Sequence, residues 1–497
     1  MNVRVSEEFG MYFARIPLKR TPHIYHGNAL TTDWNDVLPA EQASYVFGNP
    51  PFVGAKFMSD AQREETRQVF DGIDGGGLLD FIAAWYVKAA NYLTAPRPLA
   101  GEGSGERVRC AFVSTNSISQ GEKVGVLWSW LLSKGIYIHF AHRTFQWSNE
   151  AKGMAAVHCV IIGFGAFDTE KKTIYEYEDI RGEPHAVAAA NINPYLVDAP
   201  YVVLTRRSTP ICNVPRIGIG SQPIDDGNYL FTIDERDEFL KIEPKAAKYF
   251  HRWLGADEFL NGYERRCLWL GDCPPNELRQ MPEALARVDA VRKFRLASKR
   301  KQTLAAADIP THFGTEMLPR GPYLLIPKVS SERRQIVPIG FFEPDTFCSD
   351  LVFMLPDATL YQFGALSSTM HNAWLRCVAG RLESRYRYSA HIVYNNFPWP
   401  DQPTDTQREK IEAAAQAVLD ARAQFPDATL ADLYDPLTMP PALVKAHQKL
   451  DAAVDAAYGK KNFKNDAERV AFLFELYQRN TSLLPAAGKT KRPRITT

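Results

Sequence analysis

A chain of 497 residues, 45% hydrophobic and 23% charged, is too long for one ordinary core and reads as a soluble protein of two or three domains. Its net charge of +1 excludes a uniformly basic nucleic-acid coat, so any nucleic-acid contact must come from local basic patches. Seven scattered cysteines, with no Cys-x-x-Cys pair and no histidine at metal-ligand spacing, speak against a metal site or disulfide framework and for a reduced, cytoplasmic protein.

The N-terminus, Met1 to Glu8, is mixed in charge and carries no secretory pattern. Residues 1 to about 175 alternate strand-like and helix-like segments, the sign of an α/β layer fold. Apolar runs at Tyr45 to Phe47, Val108 to Val113, Ile136 to Phe140 and Val157 to Phe164 predict buried strands of one sheet. Leu78 to Leu93 and Val124 to Leu132 predict helices packed on it. Gly75 to Gly77 reads as a turn and Gly101 to Glu106 as a surface loop; neither has dinucleotide-fingerprint spacing. The longest apolar stretch, Val157 to Phe167, is broken by His158 and is too short to cross a bilayer.

From about 180 to 400, short apolar pieces and many turns fit a mixed α+β domain. Arg292, Lys293, Arg295, Lys299, Arg300 and Lys301 place six basic residues within ten positions, a density suited to phosphate contact. On a helix, a turn of about 100° per residue would spread them around a solvated surface instead. Arg333 and Arg334, in a turn-like stretch, and Arg381, Arg385 and Arg387, interleaved with Tyr386 and Tyr388, are further candidates for DNA contact. Arginine can read guanine edges bidentately, but sequence does not say which one faces a groove.

Pro398 to Pro403 punctuates the chain, and the remainder is helical. Thr406 and Glu409 predict a capping box ahead of Ile411, Ala415, Val418 and Ala421. Leu443, His447, Leu450, Val454 and Ala457 form a second stripe, with His447 a partly buried helix-face residue rather than a ligand. Asn465 and Glu468 predict the start of a third helix, and Lys489 to Arg494 reads as a basic, disordered tail.

Chemistry enters at Asn49-Pro50-Pro51-Phe52, directly after the first strand. An exocyclic amine whose lone pair is delocalised into its ring becomes nucleophilic when two acceptors take its hydrogens. The Asn49 side-chain oxygen and the Pro50 carbonyl are such acceptors. The two prolines stiffen the loop before substrate arrives, and Phe52 offers a face on which a flipped base can stack. The same tetrapeptide is also an ordinary tight turn.

The segments Gly48 to Gly54, Phe112 to Ile118, and Phe140 to Glu150 running into Val157 to Gly163 resemble the amino-methylating, adenine-specific DNA methyltransferases whose target-recognition domain follows the catalytic domain. Together with Gly380 to Leu382, Tyr388-Ser389, Tyr394 to Pro400 and Leu433 to Pro436, they resemble the methylase and recognition portion of large single-chain restriction-modification proteins. The resemblance covers nearly the whole chain. It implies a partial Rossmann-like S-adenosylmethionine-dependent sheet over 1–178, a recognition domain over 179–400 and a helical region over 401–497. It further implies that Asn49, Pro50, Pro51 and Phe52 bind and activate adenine, with Phe145, or alternatively Trp147, on the base's other side. Core packing is the competing role for those aromatics. Asp80 and Asn28 fall at cofactor-contacting positions, although an exposed helix-start carboxylate explains Asp80 nearly as well.

One departure is serious. Enzymes of this kind carry a glycine-rich cofactor loop upstream, yet only 48 residues precede Asn49 and none of their glycines forms Gly-x-Gly. The expectation is therefore a downstream part of a longer enzyme, with the missing loop supplied by an N-terminal segment or a partner subunit. Duplex DNA is the expected partner and S-adenosylmethionine the expected cofactor. Cytosine N4 or a glutamine amide as acceptor, and a catalytically silent DNA-binding remnant, are the alternatives.

Overall fold

The computed structural model describes residues 22–95, 107–147, 157–460 and 463–482. The predicted loop at Gly101 to Glu106, the stretch from Ser148 to Glu150 and the basic tail lie outside them. A six-stranded sheet organises the first third of the chain, from β1 (Tyr45–Gly48), β2 (Arg109–Thr115), β3 (Tyr137–Trp147), β4 (Val157–Gly165), β5 (Lys172–Glu176) and β6 (His185–Ala189), in the order β1-β2-β4-β3-β5-β6. All four predicted strands thus share one sheet. β1 and β2 run parallel, with Gly48 opposite Phe112, and β4 lies antiparallel between β2 and β3.

The two predicted helices are α1 (Ala83–Thr94) and α2 (Glu122–Ser133). They bury Tyr86, Val87, Leu127 and Trp128 against the sheet. The Tyr86 ring stacks on Phe164 at 5.2 Å, and its hydroxyl lies 2.7 Å from the Ser114 hydroxyl. A buried phenol thereby keeps a polar partner.

β1 differs from expectation. Tyr45 and Phe47 are 68% and 82% exposed, because β1 is the sheet's edge and pairs only with β2 among the described residues. An apolar run is buried on both faces only where neighbours cover both.

The middle third is mixed α+β, as expected, with two four-stranded sheets and α3 (Pro282–Leu296). Helix α4 (Thr369–Val378) leads into the hairpin β7 (Gly380–Leu382) and β8 (Arg385–Arg387). That hairpin docks on the first sheet's end. The Gly121 N–H donates to the Val378 carbonyl at 3.0 Å, and a Cβ on Gly121 would stand 3.1 Å from the Gly380 Cα. With φ at +79°, position 121 suits glycine twice over.

Three helices, α5 (Asp405–Ala423), α6 (Pro441–Ala457) and α7 (Asp466–Thr481), close the chain. The first cap falls two residues earlier than expected: Thr404 and Gln407 form the capping box. Both boxes fit the local sequence, and the helix takes the first of them. Asn465 caps α7 as predicted, but Glu468 turns to the Lys464 amide and to Lys460. The predicted stripes are buried, and one continuous core joins the first sheet, α4 and all three helices.

His447 is fully inside this core rather than partly buried. Arg422 Nε donates to the Tyr434 hydroxyl at 2.7 Å, and that hydroxyl lies 2.8 Å from His447 Nε2. Burial holds His447 and His371 neutral, each with its pKa pushed down to about 3. In an unfolded chain both would titrate near pH 6.5. Between those values the unfolded state binds more protons, so stability is complete above about pH 6.5 and is lost as pH falls. Well below that pH the loss approaches about 1.4 kcal/mol per pH unit for each histidine. Melting scans from about pH 7 down to about pH 5 are expected to show Tm falling progressively. A flat profile would mean these histidines accept protons in place.

Candidate active site and nucleic-acid interface

β1 ends at Gly48 and delivers Asn49 to the carboxyl end of the sheet, where open α/β sheets bind their ligands. Asn49 and Pro51 are exposed, Pro50 is buried and Phe52 half-buried. The loop is tied down behind them. Val53 N–H donates to the Pro51 carbonyl, and the Val53 carbonyl accepts from Phe81 N–H, each at 3.2 Å. No protein donor or acceptor engages the Asn49 side chain among the described residues. A pocket of about 350 Å³ opens beside it, walled by Trp34, Trp85 and Phe112, with Asn49 and Pro50 on its rim. A second hollow of about 580 Å³ shares Trp34, Val46 and Phe47 with the first and continues past Tyr25 and Tyr45. Both have the size and aromatic character of small-molecule sites.

β3 is antiparallel to β4, which is antiparallel to β2, so Phe145 and Trp147 end at the same edge of the sheet as Asn49. Three interstrand steps, roughly 14 Å, separate the β1 and β3 strands there. A register shift between His142 and Phe145 sets two residues, Arg143 and Thr144, against one partner position. One face of Phe145 is stacked on Tyr177 at 5.4 Å, and the Tyr177 hydroxyl sits 2.9 Å from His142 Nδ1. Trp147 is more exposed, 6.0 Å from Phe145.

Asp80 is not an exposed helix-start carboxylate. It precedes α1 by three residues and is buried, with Oδ2 accepting from Ser117 Oγ at 2.7 Å and Lys123 Nζ at 2.8 Å. It therefore ties α1 to the segment after β2. Asn28 is engaged locally: its oxygen accepts from Leu30 N–H and its amide donates to Glu65, both at 2.9 Å. Sequence reasoning missed Trp34, Trp85, Tyr177 and Lys123, since single aromatics and a helix-start lysine carry no local signal.

The basic segment divides in two. Arg292, Lys293, Lys299, Arg300 and Lys301 are exposed, and none forms an ion pair among the described residues. Arg295 is fully buried. Its guanidinium donates to five carbonyls, those of Pro223, Ile224, Ala306, Ile309 and His312, at 2.7 to 3.3 Å. Arg295 is therefore a structural clamp and not part of the exposed cluster. Arg333 pairs with Asp435 at 3.2 Å, and Arg334 is half-buried. On the hairpin, Arg385 and Arg387 are exposed, Arg385 paired with Glu383 at 2.9 Å. Arg381 lies opposite Tyr386 in the ladder, and strand alternation turns this pair to the other face, against the first sheet.

No group of three or more metal-ligating side chains occurs among the described residues, no disulfide forms among them, and no described helix is long and apolar enough to cross a membrane.

Comparison with known proteins agrees with this architecture. Three domain models of one family match in order: the MmeI DNA-methyltransferase domain over residues 1–176, the MmeI target recognition domain over 198–401 and the MmeI C-terminal domain over 403–485. DNA methyltransferase A of Bacillus subtilis (strain 168) is 38% identical over 468 residues, 94% of this chain and 51% of the relative. The chain thus spans about half that relative's length. The solved structure of the Type IIL restriction-modification enzyme MmeI in complex with DNA superposes with a TM-score of 0.84 at 52% identity, covering 97% of this chain and 63% of that one. With methyltransferase, recognition and C-terminal models in succession over nearly its whole length, the chain belongs to the MmeI family of DNA-methyltransferase proteins.

Proposed function

We propose that this chain is the catalytic and recognition portion of a site-specific methyltransferase that moves a methyl group from S-adenosylmethionine to adenine N6 in duplex DNA, within a restriction-modification or phage-defence system. The observation that carries the reading is the free Asn49 carboxamide at a strand's carboxyl end, beside a ligand-sized aromatic pocket. Asn49 Oδ1 and the Pro50 carbonyl accept the two amine hydrogens of a flipped adenine. Its nitrogen lone pair is thereby drawn out of conjugation. Phe52 stacks on the base, and Phe145, or alternatively Trp147, covers its far side.

The residues present fit the methyl donor. The pocket lined by Trp34, Trp85 and Phe112 offers aromatic walls for an adenosyl group, and Asp80 keeps one carboxylate oxygen that neither Ser117 nor Lys123 engages. Asn28 is the further candidate on this side. Bound there, S-adenosylmethionine supplies an electrophilic methyl group. The exposed Tyr45 and Phe47 on the edge of β1 support a further element: an N-terminal segment or partner subunit carrying the glycine-rich cofactor loop packs on this edge. Calorimetric titration of the chain with S-adenosylmethionine tests the assignment. Saturable binding supports a cofactor site here, whereas no heat, with or without such an upstream segment, would leave a silent DNA-binding fragment. Seven scattered cysteines without a Cys-x-x-Cys pair suit a reducing, cytoplasmic setting.

DNA recognition falls to the region about 179–400. Arg292, Lys293, Lys299, Arg300 and Lys301 contact phosphate, while Arg385 and Arg387 on the exposed hairpin face, with Arg333 and Arg334 nearby in the fold, are candidates for base edges or backbone. Replacing Lys299, Arg300 and Lys301 together by alanine is expected to weaken binding to all sequences and flatten the log K against log salt slope by about 2 to 3. Unchanged affinity and slope would assign them to a solvated surface.

A further inference from the structure

A cavity of about 260 Å³ lies between the carboxyl end of the first sheet, the hairpin β7–β8 and helices α4 and α7, and the proposed reaction does not use it. Arg143, Arg376 and Arg381 line it, with Asp466 the one carboxylate among the lining residues. The charges do not cancel. Arg376 gives Nε and Nη2 to Asp466 Oδ2 at 3.0 and 2.6 Å, whereas Arg143 pairs with Glu176 through Nη1 alone, at 2.9 Å, and its Nε and Nη2 have no partner among the described residues.

Arg381 has only neutral partners. Its Nε donates to Gln120 Oε1 at 3.2 Å and its Nη1 to the Ser384 carbonyl at 3.0 Å, while the guanidinium lies 3.8 Å from the centre of the Tyr386 ring. Cys377 cannot serve as counter-ion, because burial pushes its thiol up to about 12. Glu332, outside the lining, is the carboxylate that offsets the Arg381 charge, and among the described residues no carboxylate lies within ion-pair distance of that guanidinium. A largely desolvated guanidinium facing a cavity whose lining holds no anion for it is costly, and an oxyanion removes that cost. The wall is built to receive one. Gln120 turns its amide oxygen to Arg381, which leaves its NH2 to donate, and the β3 bulge sets Arg143 and Thr144 on the cavity's lining.

We infer that this cavity binds a phosphate-class oxyanion, clamped between Arg381 on the hairpin and Arg143 on β3. The anion joins the recognition hairpin to the segment Ser119-Gln120 that follows β2, and so stiffens the joint between the reader and the catalytic sheet. Its source is either a backbone phosphate of bound DNA or a free phosphate.

Isothermal titration of the full chain with orthophosphate and with pyrophosphate, against chloride at matched ionic strength, tests this directly. One saturable site per chain is expected, weakened about tenfold or more by Arg381→Gln, as loss of a charged hydrogen-bond donor requires. Should that variant fail to fold, Gln120→Glu brings a carboxylate to Arg381 and must abolish phosphate binding. Two further arms separate the sources. If duplex DNA competes with orthophosphate, and Arg381→Gln lowers the salt slope of DNA binding by about 1, the ligand is a backbone phosphate. If phosphate and DNA bind together, it is a free anion. Absence of saturable phosphate binding in the wild type together with an unchanged salt slope in the variant would overturn the inference, as would phosphate binding indifferent to both substitutions.

Discussion

Asn49→Ala is expected to lower methyl transfer roughly 100-fold or more, by analogy with loss of one oxyanion-hole donor. The substitution leaves the Pro50 carbonyl to orient the amine alone. Because the Asn49 side chain has no intramolecular partner among the described residues and is exposed, stability should change by no more than about 0.5 kcal/mol. DNA affinity should also hold, since it rests mainly on phosphate contacts elsewhere. Phe52→Ala should instead weaken capture of the flipped base, a stacking contribution of about 1 to 3 kcal/mol. The measurement is tritiated-methyl transfer to duplex DNA, in the chain alone or completed by the proposed upstream segment, with folding followed by circular dichroism. Equal rates for Asn49→Ala and wild type would reduce Asn-Pro-Pro-Phe to a turn, and the proposed activity would fall with it.

Arg295→Met is expected to destabilise the fold by about 3 to 5 kcal/mol, the second large effect. The methionine fills much of the space but leaves five carbonyls without their donor, those of Pro223 and Ile224 on one side and Ala306, Ile309 and His312 on the other. Each buried acceptor left unsatisfied costs about 1 to 3 kcal/mol before water or relaxation restores part of it. Arg295→Lys should recover little, because a compact ammonium cannot span the fan that a planar guanidinium reaches. Urea denaturation of the full chain, followed by tryptophan fluorescence, gives the comparison. A loss under about 1 kcal/mol would show that the carbonyls find other partners. DNA binding distinguishes this variant from the lysine cluster: Arg295→Met should weaken it only together with the melting of α3, whereas removing Lys299, Arg300 and Lys301 should weaken it in a fully folded protein.

Periodicity and punctuation were enough to find the four strands, the two helices on the sheet and the stripes of the C-terminal helices. Each is a property of a short segment, set by which side chains recur on one face. The same holds for Asn49 to Phe52, whose stiff loop and free acceptors follow from residue type and from the strand before them. The cap at Thr404 was missed because two Thr-containing boxes overlap there, and local sequence satisfies either.

What the sequence by itself determined was therefore the kind and order of elements, the place of the strand-end loop and the resemblance carried by its motifs. Tertiary structure alone decided the fate of individual charges and rings. Arg295 looked like its basic neighbours until chain 71 residues away supplied carbonyls for it, and Asp80 looked exposed until Lys123, 43 residues on, reached it. Tyr45 and Phe47 looked buried until β1 proved to be the sheet's edge. Arg381 alternates with Arg387 along one hairpin, yet one faces a cavity and the other solvent. The reason is common to all of them: a segment's pattern reports which side chains share a face, but the free energy of a charge or an aromatic ring depends on what distant residues bring to that face.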